Sequence, residues 1–121
     1  MKTRILLALA SPELARVIEH LLRELPGMEI VDRSTSALTL YRDAARLAPD
    51  VIVTSVRLLS PRGTLDELRR LAPGSKLIVI TCGVDFGVRD ARAADASLEE
   101  EDLVRELLPI LDTLAPAPSA G

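Results

Sequence analysis

Hydroxyl and thiol side chains lie at the ends of two apolar runs of this sequence and are the groups best placed for chemistry. Thr54 and Ser55 end the first run, and Thr81 and Cys82 end the second. A serine or cysteine nucleophile needs a neighbouring base. The single histidine, His20, falls off the apolar stripe of its predicted helix, so we expect it in solvent. We therefore predict no enzymatic activity.

The acidic residues are spread along the chain rather than grouped as metal ligands. Asp32 and Asp50 each border a predicted strand, and we interpret both as turn residues. The run Glu99–Asp102 precedes the last predicted helix, where acids offset the helix macrodipole; a partner-binding face is the alternative. Some arginines lack the glycine-rich turn of a phosphate site and are interpreted as a solvated face: Arg62, Arg69 and Arg70. The sequence predicts no metal and no other cofactor.

Composition restricts the class of protein. The 121 residues carry a net charge of −3 and only 2% are aromatic, so there is neither a basic surface nor a set of stacking residues for nucleic acid. A single cysteine fits a reducing compartment, and we expect a cytoplasmic protein. The apolar run after Lys2 and Arg4 is similar to a secretory signal but too short for one, and no run is long enough to span a membrane.

Five apolar runs predict five strands. They are Lys2–Ala10, Met28–Val31, Val51–Ser55, Lys76–Thr81 and Ala94–Leu98. The third follows a Pro-Asp turn signal and is rich in β-branched residues, which is typical of a strand buried on both faces of a parallel sheet. The fifth is the weakest on propensity.

Helix signals alternate with these strands. Ser11 and Pro12 begin the first helix as its N-cap and its first helical residue, and Pro49 ends the second. Thr64 is the predicted cap of a third helix, and a short helix is predicted within Gly83–Ala94. The inner face of the third helix is predicted at these residues: Leu65, Leu68 and Leu71.

The last helix contains Pro109. Because proline lacks an N–H and its ring clashes with the carbonyl four residues earlier, we expect a kink or a split there, at a cost of about 3 kcal/mol. The tail 115–121 has linker composition, so the predicted domain spans residues 1–114. Five strand–helix alternations predict an α/β fold, a parallel sheet with right-handed crossovers and helices on both faces. Among the sheets of this kind we select the flavodoxin-like strand order 2-1-3-4-5.

With this order of elements, residues 2–114 resemble the receiver domain of two-component response regulators. The resemblance rests on these segments: Ile5–Leu7 with Ser11–Pro12, Leu47–Val53, Arg57–Leu58, Leu77–Thr81 and Ala94–Ala96. It implies a known chemistry, in which a histidine kinase phosphorylates an aspartate. Two acids hold Mg²⁺, a lysine pairs with the phosphoryl oxygens, and a Ser or Thr reorients to meet them.

Most of that machinery is replaced in this chain. The differing positions are Leu9 and Ala10 at the acidic pair, Ser55 at the acceptor aspartate, Glu99 or Glu100 at the lysine, and Ser97 near the aromatic switch residue. Thr81 alone stands as in the family. The resemblance therefore implies a degenerate receiver that neither binds Mg²⁺ nor accepts a phosphoryl group.

A degenerate receiver of this kind is predicted to be a phosphorylation-independent interaction or dimerisation module, acting in transcriptional regulation. Two alternatives remain open. A small-ligand sensor should have an apolar cavity between Leu9, Ala10 and Ser55. A redox sensor should expose Cys82 with a lowered thiol pKa.

The family resemblance also predicts a homodimer through the fourth helix, fifth strand and fifth helix of the fold, roughly Val84–Leu114. The apolar stripe of the last helix is wider than one sheet contact requires, so part of it is expected to be exposed. The predicted interface residues are Leu103, Leu107, Ile110, Leu111, Arg89 and Arg92. A monomer with a well-buried last helix is the alternative.

Overall fold

The computed structural model describes residues 3–9, 11–25, 27–55, 65–81 and 94–114. The strands in these ranges are β1 (Thr3–Ala8), β2 (Met28–Ser34), β3 (Val51–Ser55), β4 (Lys76–Thr81) and β5 (Ala96–Glu99). The helices are α1 (Pro12–Arg23), α2 (Ala37–Leu47), α3 (Leu65–Leu71) and a last helix (Leu103–Leu114) after a 3₁₀ turn at Glu100–Asp102. Several predictions fall outside the described residues: the Thr64 cap, the loop 57–61, nearly all of the helix within 83–94, Cys82 and the tail 115–121.

The five strands form one parallel sheet in the order β2-β1-β3-β4-β5. This confirms the predicted flavodoxin-like α/β class and strand order. The central strand β3 is buried along its whole length, as its apolar sequence predicts. Within the described ranges, no helix is long and apolar enough to cross a membrane.

The hydrophobic core has two layers, one on each face of the sheet. Ile5 and Leu7 of β1 point into the first layer, beneath α1 and the last helix. Leu6 and Ala8 point into the second, beneath α2 and α3. Each face of β1 is therefore covered, because successive side chains of a strand alternate between the faces of the sheet.

Local signals place the first two helices. The Ser11 hydroxyl oxygen accepts a hydrogen bond from the Leu14 N–H at 3.3 Å, and Pro12 is the first helical residue, as predicted. α2 ends at Leu47, just before Ala48 turns left-handed (φ 44°) ahead of Pro49. His20 is exposed on α1, which confirms its predicted surface position.

Two aspartates tie neighbouring strands together at the amino edge of the sheet. The Asp50 carboxylate accepts the Arg4 N–H of β1 at 2.8 Å. The Asp95 carboxylate accepts the Leu77 N–H of β4 at 2.8 Å. Each acid lies just before one strand and accepts a backbone N–H of the neighbouring strand in the sheet. Asp50 therefore does more than form the predicted turn.

The second strand is longer than its apolar residues indicate. The sequence predicts a strand ending at Val31 with Asp32 in a turn, but β2 continues to Ser34 and contains Asp32. The polar part remains extended because it pairs with β1, where Asp32 is opposite Leu6 and Ser34 is opposite Ala8. The turn interpretation of Asp32 is therefore wrong.

The last helix is continuous through Pro109, so the predicted split is wrong. Pro109 lies on the exposed side of the helix, as does Arg105, whose carbonyl loses its usual donor. Carbonyls on the solvent side of a helix tilt towards water, which reduces the penalty of a missing hydrogen bond. Leu107 and Leu111 anchor both halves of the helix in the core.

The inner face of α3 also differs from the prediction. Leu68 is fully buried, but Leu71 is 40% exposed and Ala72 is buried in its place. A residue four positions after Leu68 lies more directly above it than one three positions after, so the end of this short helix turns Leu71 outward.

Candidate functional site at the carboxyl rim

The carboxyl ends of the strands bring four of the predicted site residues to one edge of the sheet. Ala8 is opposite Thr54, so Leu9 follows at the level of Ser55. Thr81, at the end of β4, is opposite Glu99, at the end of β5. We call Leu9, Ser55, Thr81 and Glu99 the carboxyl rim. Ala10, predicted beside Leu9, lies outside the described residues.

The two central rim positions are closed to solvent. Leu9 and Ser55 are each 4% exposed. Leu9 packs into the core layer under α1. The preceding hydroxyl, that of Thr54, donates to the Ser55 carbonyl at 3.3 Å. An aliphatic side chain and a buried hydroxyl provide no ligand set for a hard cation such as Mg²⁺, which takes oxygen ligands.

The Thr81 hydroxyl is directed towards β5. It donates to the Leu98 carbonyl at 3.3 Å, and the residue is half-buried. The retained hydroxyl therefore makes a contact between strands in this conformation.

The β5 corner of the rim carries negative charge. Carboxylate oxygens of Glu99, Glu101 and Asp102 lie within 4.8 Å of one another. A hydrogen bond shared with Glu101 raises the pKa of Glu99 above its ordinary value, and repulsion from Glu101 acts in the same direction. Asp102 is paired with Arg105. A dianion at this corner would meet like charges.

The Glu99 carboxylate gives a pH-dependent prediction. Its pKa is raised in the folded state, so ionising it opposes folding at pH values above the ordinary 4.5. Glu99→Gln should therefore raise the melting temperature at neutral pH, and the gain should disappear as the pH falls below 4.5. Differential scanning calorimetry measures this. Glu106→Gln removes the same charge from an exposed position on the last helix. Equal gains from both variants would mean that the cluster has no specific effect.

The predicted dimer interface requires a correction. Leu103, Leu107 and Leu111 are at most 1% exposed, because they pack under the sheet within a single chain. The outward side of the last helix presents Val104, which is 64% exposed, whereas half-buried Ile110 packs against the core layer. Arg89 and Arg92 lie outside the described residues.

A cavity opens beside Leu9, and it is a different one from the cavity that the small-ligand alternative predicts. The sequence predicts one between Leu9, Ala10 and Ser55, and Ser55 is not among the residues that line this cavity. It lies instead between α1 and the end of β2, with a volume of about 310 Å³.

Two polar contacts near the rim have no counterpart in the sequence prediction. Arg33 of β2 forms a two-pronged ion pair with Glu19 of α1. Asp43 of α2 is buried and accepts a hydrogen bond from the Ser34 hydroxyl at 3.1 Å. Both pairs join different elements, so no local spacing in the sequence indicates them.

Solved structures provide the comparison with known proteins. The response regulator domain of Thermotoga maritima CheB has a TM-score of 0.79 and 18% identity, over 94% of this chain and 96% of that one. The REC domain of RcsB from Salmonella enterica serovar Typhimurium, with the phosphomimetic BeF3−, has a TM-score of 0.75 and 14% identity, over 98% of this chain and 95% of that one. A structure of two RcsB dimers bound to two parallel DNAs has a TM-score of 0.81 and 15% identity, over 94% of this chain and 64% of that one.

No protein-family model matches the sequence, and a comparison with curated proteins gives no match. The structural similarity is extensive, but sequence identities of this size establish the fold alone. The chain has the receiver-domain fold of response regulators, which confirms the resemblance inferred from the sequence.

Proposed function

We propose that this chain is a degenerate receiver domain that acts in response regulation without being phosphorylated. The observation that carries the proposal is the carboxyl rim itself: Leu9 and Ser55 are buried there, and a carboxylate, Glu99, stands opposite the retained Thr81. Phosphoryl transfer depends on positioning and on neutralising the charge of the phosphoryl oxygens. The described rim residues supply a hydrocarbon, two hydroxyls and an anion.

Burial of Ser55 argues in the same direction. A phosphoryl group on its hydroxyl would place close to two negative charges at a position that is 4% exposed. The free-energy cost of burying such a group is large unless cations or several donors compensate it. We propose that Ser55 fills the former acceptor position and that the domain has no catalytic activity.

Intact-mass spectrometry tests this part of the proposal. The full chain is treated with acetyl phosphate and Mg²⁺, with a receiver domain known to accept phosphoryl groups treated in parallel. We expect no mass increase in this chain and one phosphoryl group in the control. A stable gain of one phosphoryl group on this chain would overturn the proposal.

For the positive function, we propose a constitutive homodimer through the outward side of the last helix. The similarity to RcsB, which forms DNA-bound dimers, supports a dimer on this fold. Val104 supplies the exposed apolar side chain on that side of the helix. A role in transcriptional regulation in the cytoplasm belongs to the same proposal. The redox alternative depends on Cys82, which lies outside the described residues.

Sedimentation equilibrium at micromolar concentration tests the dimer. Val104→Glu should weaken self-association about tenfold or more, because a two-fold axis would bring two new like charges together in an apolar contact. Leu38→Glu is the matched control, since Leu38 is 80% exposed on α2. A native chain that remains monomeric would refute the dimer, and equal effects of the two variants would refute this interface.

A further inference from the structure

The cavity beside Leu9 has the character of a small-molecule site and goes beyond the proposed function. Leu7 and Leu9 form its floor, and Pro12 and Ala15 of α1 contribute to one wall. Its volume of about 310 Å³ is within the range of ligand pockets, roughly 300–1,000 Å³. The floor is apolar because Leu9, the residue that follows β1, stands where the receiver resemblance expects an acid.

Charged groups stand at the mouth of the cavity. The lining residues include Arg16, Arg33 and Glu19, which together carry two positive charges and one negative charge. The Arg33 Nε donates to the Glu19 carboxylate at 2.8 Å, and a second nitrogen completes the two-pronged pair. Glu19 is therefore already paired, and the charge of Arg16 remains as an excess positive charge.

The groups behind the lining do not remove that excess charge. The Asp32 carboxylate accepts the backbone N–H of Arg33 and lies 3.6 Å from Arg46, and Asp32 is not among the residues that line the cavity. On α1, Glu13 lies one turn before Arg16, but the described residues show no ion pair between the two. Arg23, one turn beyond Glu19, adds a further positive charge, and the charges of both Arg23 and Arg16 lower the pKa of Glu19.

We propose that this cavity binds a small organic acid with an apolar body and one carboxylate. The apolar body is buried against Leu7 and Leu9, where removal of hydrocarbon from water favours binding. The carboxylate lies at the mouth and meets the guanidinium of Arg16, whose planar fork suits a carboxylate. The ligand contacts α1 and the end of β2, so binding would bridge those two elements.

The charge of the ligand's head group separates this proposal from unspecific apolar binding. Octanoate, octan-1-ol and octylamine share one hydrocarbon chain and differ in head group. In calorimetric or NMR titrations of the full chain, we expect octanoate to bind about fivefold more tightly than octanol. The difference in affinity between octanoate and octylamine should be larger still. The NMR shifts should fall on residues of α1 and the end of β2. Equal affinities for the three, or no binding, would overturn the proposal.

Two variants and two matched controls locate the site. Arg16→Gln should weaken octanoate binding about fivefold and leave octanol binding unchanged. Arg70 is an exposed arginine of α3, and Arg70→Gln should change the affinity for neither probe. Ala15→Leu should fill the cavity and abolish binding of both probes, whereas Ala45→Leu, at an exposed position of α2, should not. All four changes retain good helix formers, so melting curves should report folded proteins. Octanoate binding that survives Ala15→Leu would overturn the assignment of the site.

Discussion

Leu107→Glu should unfold the domain at room temperature. Leu107 is 0% exposed and lies in the core layer shared by α1, the last helix and the sheet. Loss of the leucine packing costs about 2–5 kcal/mol. An ionised carboxylate without a partner in this layer adds several kcal/mol, and small domains have only about 5–15 kcal/mol of total stability.

Val104→Glu is the matched control for this prediction. It introduces the same residue into the same helix, less than one turn away, at a position that is 64% exposed. We expect circular dichroism to show a native spectrum and a cooperative melt for Val104→Glu and neither for Leu107→Glu. If Leu107→Glu melts within a few degrees of the native chain, the last helix does not pack as described. The same reasoning makes Val104, rather than Leu107, the position for testing self-association.

The sequence predicts the sheet well because its strands are short apolar runs. Lys76–Thr81 has the bounds expected, and Val51–Ser55 begins directly after the Pro-Asp signal, since strands covered on both faces need continuous hydrocarbon. The alternation of strands and helices and the right-handed crossover rule restrict the possible strand orders, and the flavodoxin-like order selected among them is confirmed. The Ser11 cap is equally local, because one side chain and the next turn of backbone determine it.

The polar half of β2 could not be predicted in the same way. Asp32 has low strand propensity, and this part of β2 is extended because Asp32 and Arg33 pair directly with Leu6 and Leu7 of β1. The register also shifts once between Ile5 and Leu6 of β1. Such a pairing depends on a partner strand more than twenty residues away, which a local pattern does not report.

The candidate site was predictable by position and not by shape. Parallel strands end at a common edge, so the rim residues Leu9, Ser55 and Thr81 could be placed from sequence alone. Which leucines of the last helix are buried depends on how that helix is rotated against the sheet, and the width of the apolar stripe leaves the rotation open. The cavity depends on the gap between α1 and β2, which is held by the Arg33–Glu19 pair.

Asp43→Ala should be the most destabilising change outside the hydrocarbon core, at about 3 kcal/mol. Asp43 is 3% exposed, and its carboxylate accepts hydrogen bonds from the Ser34 hydroxyl at 3.1 Å and from Arg46 at 3.2 Å. The alanine variant loses both bonds and leaves the buried Ser34 hydroxyl without this acceptor. Ser34→Ala should cost less, about 1 kcal/mol, because the Asp43 carboxylate retains its arginine partners. Urea denaturation of the two single variants and the double variant gives the coupling between the pair.

The pH dependence of the Asp43→Asn variant tests whether the aspartate acts as an ion. Burial alone would raise the pKa of this carboxyl, but hydrogen bonds from Arg46 and Ser34, with the charge of Arg42, outweigh it and lower the pKa. A lowered folded pKa means that the ion stabilises the fold above the ordinary value of 3.8, and that this contribution is lost as the pH falls through the folded pKa. Asp43→Asn keeps the shape and the Ser34 bond, so it should cost about 1–2 kcal/mol at neutral pH and progressively less below 3.8. A cost that is independent of pH would show that Asp43 stabilises the domain through its shape and hydrogen bonds and not through its charge.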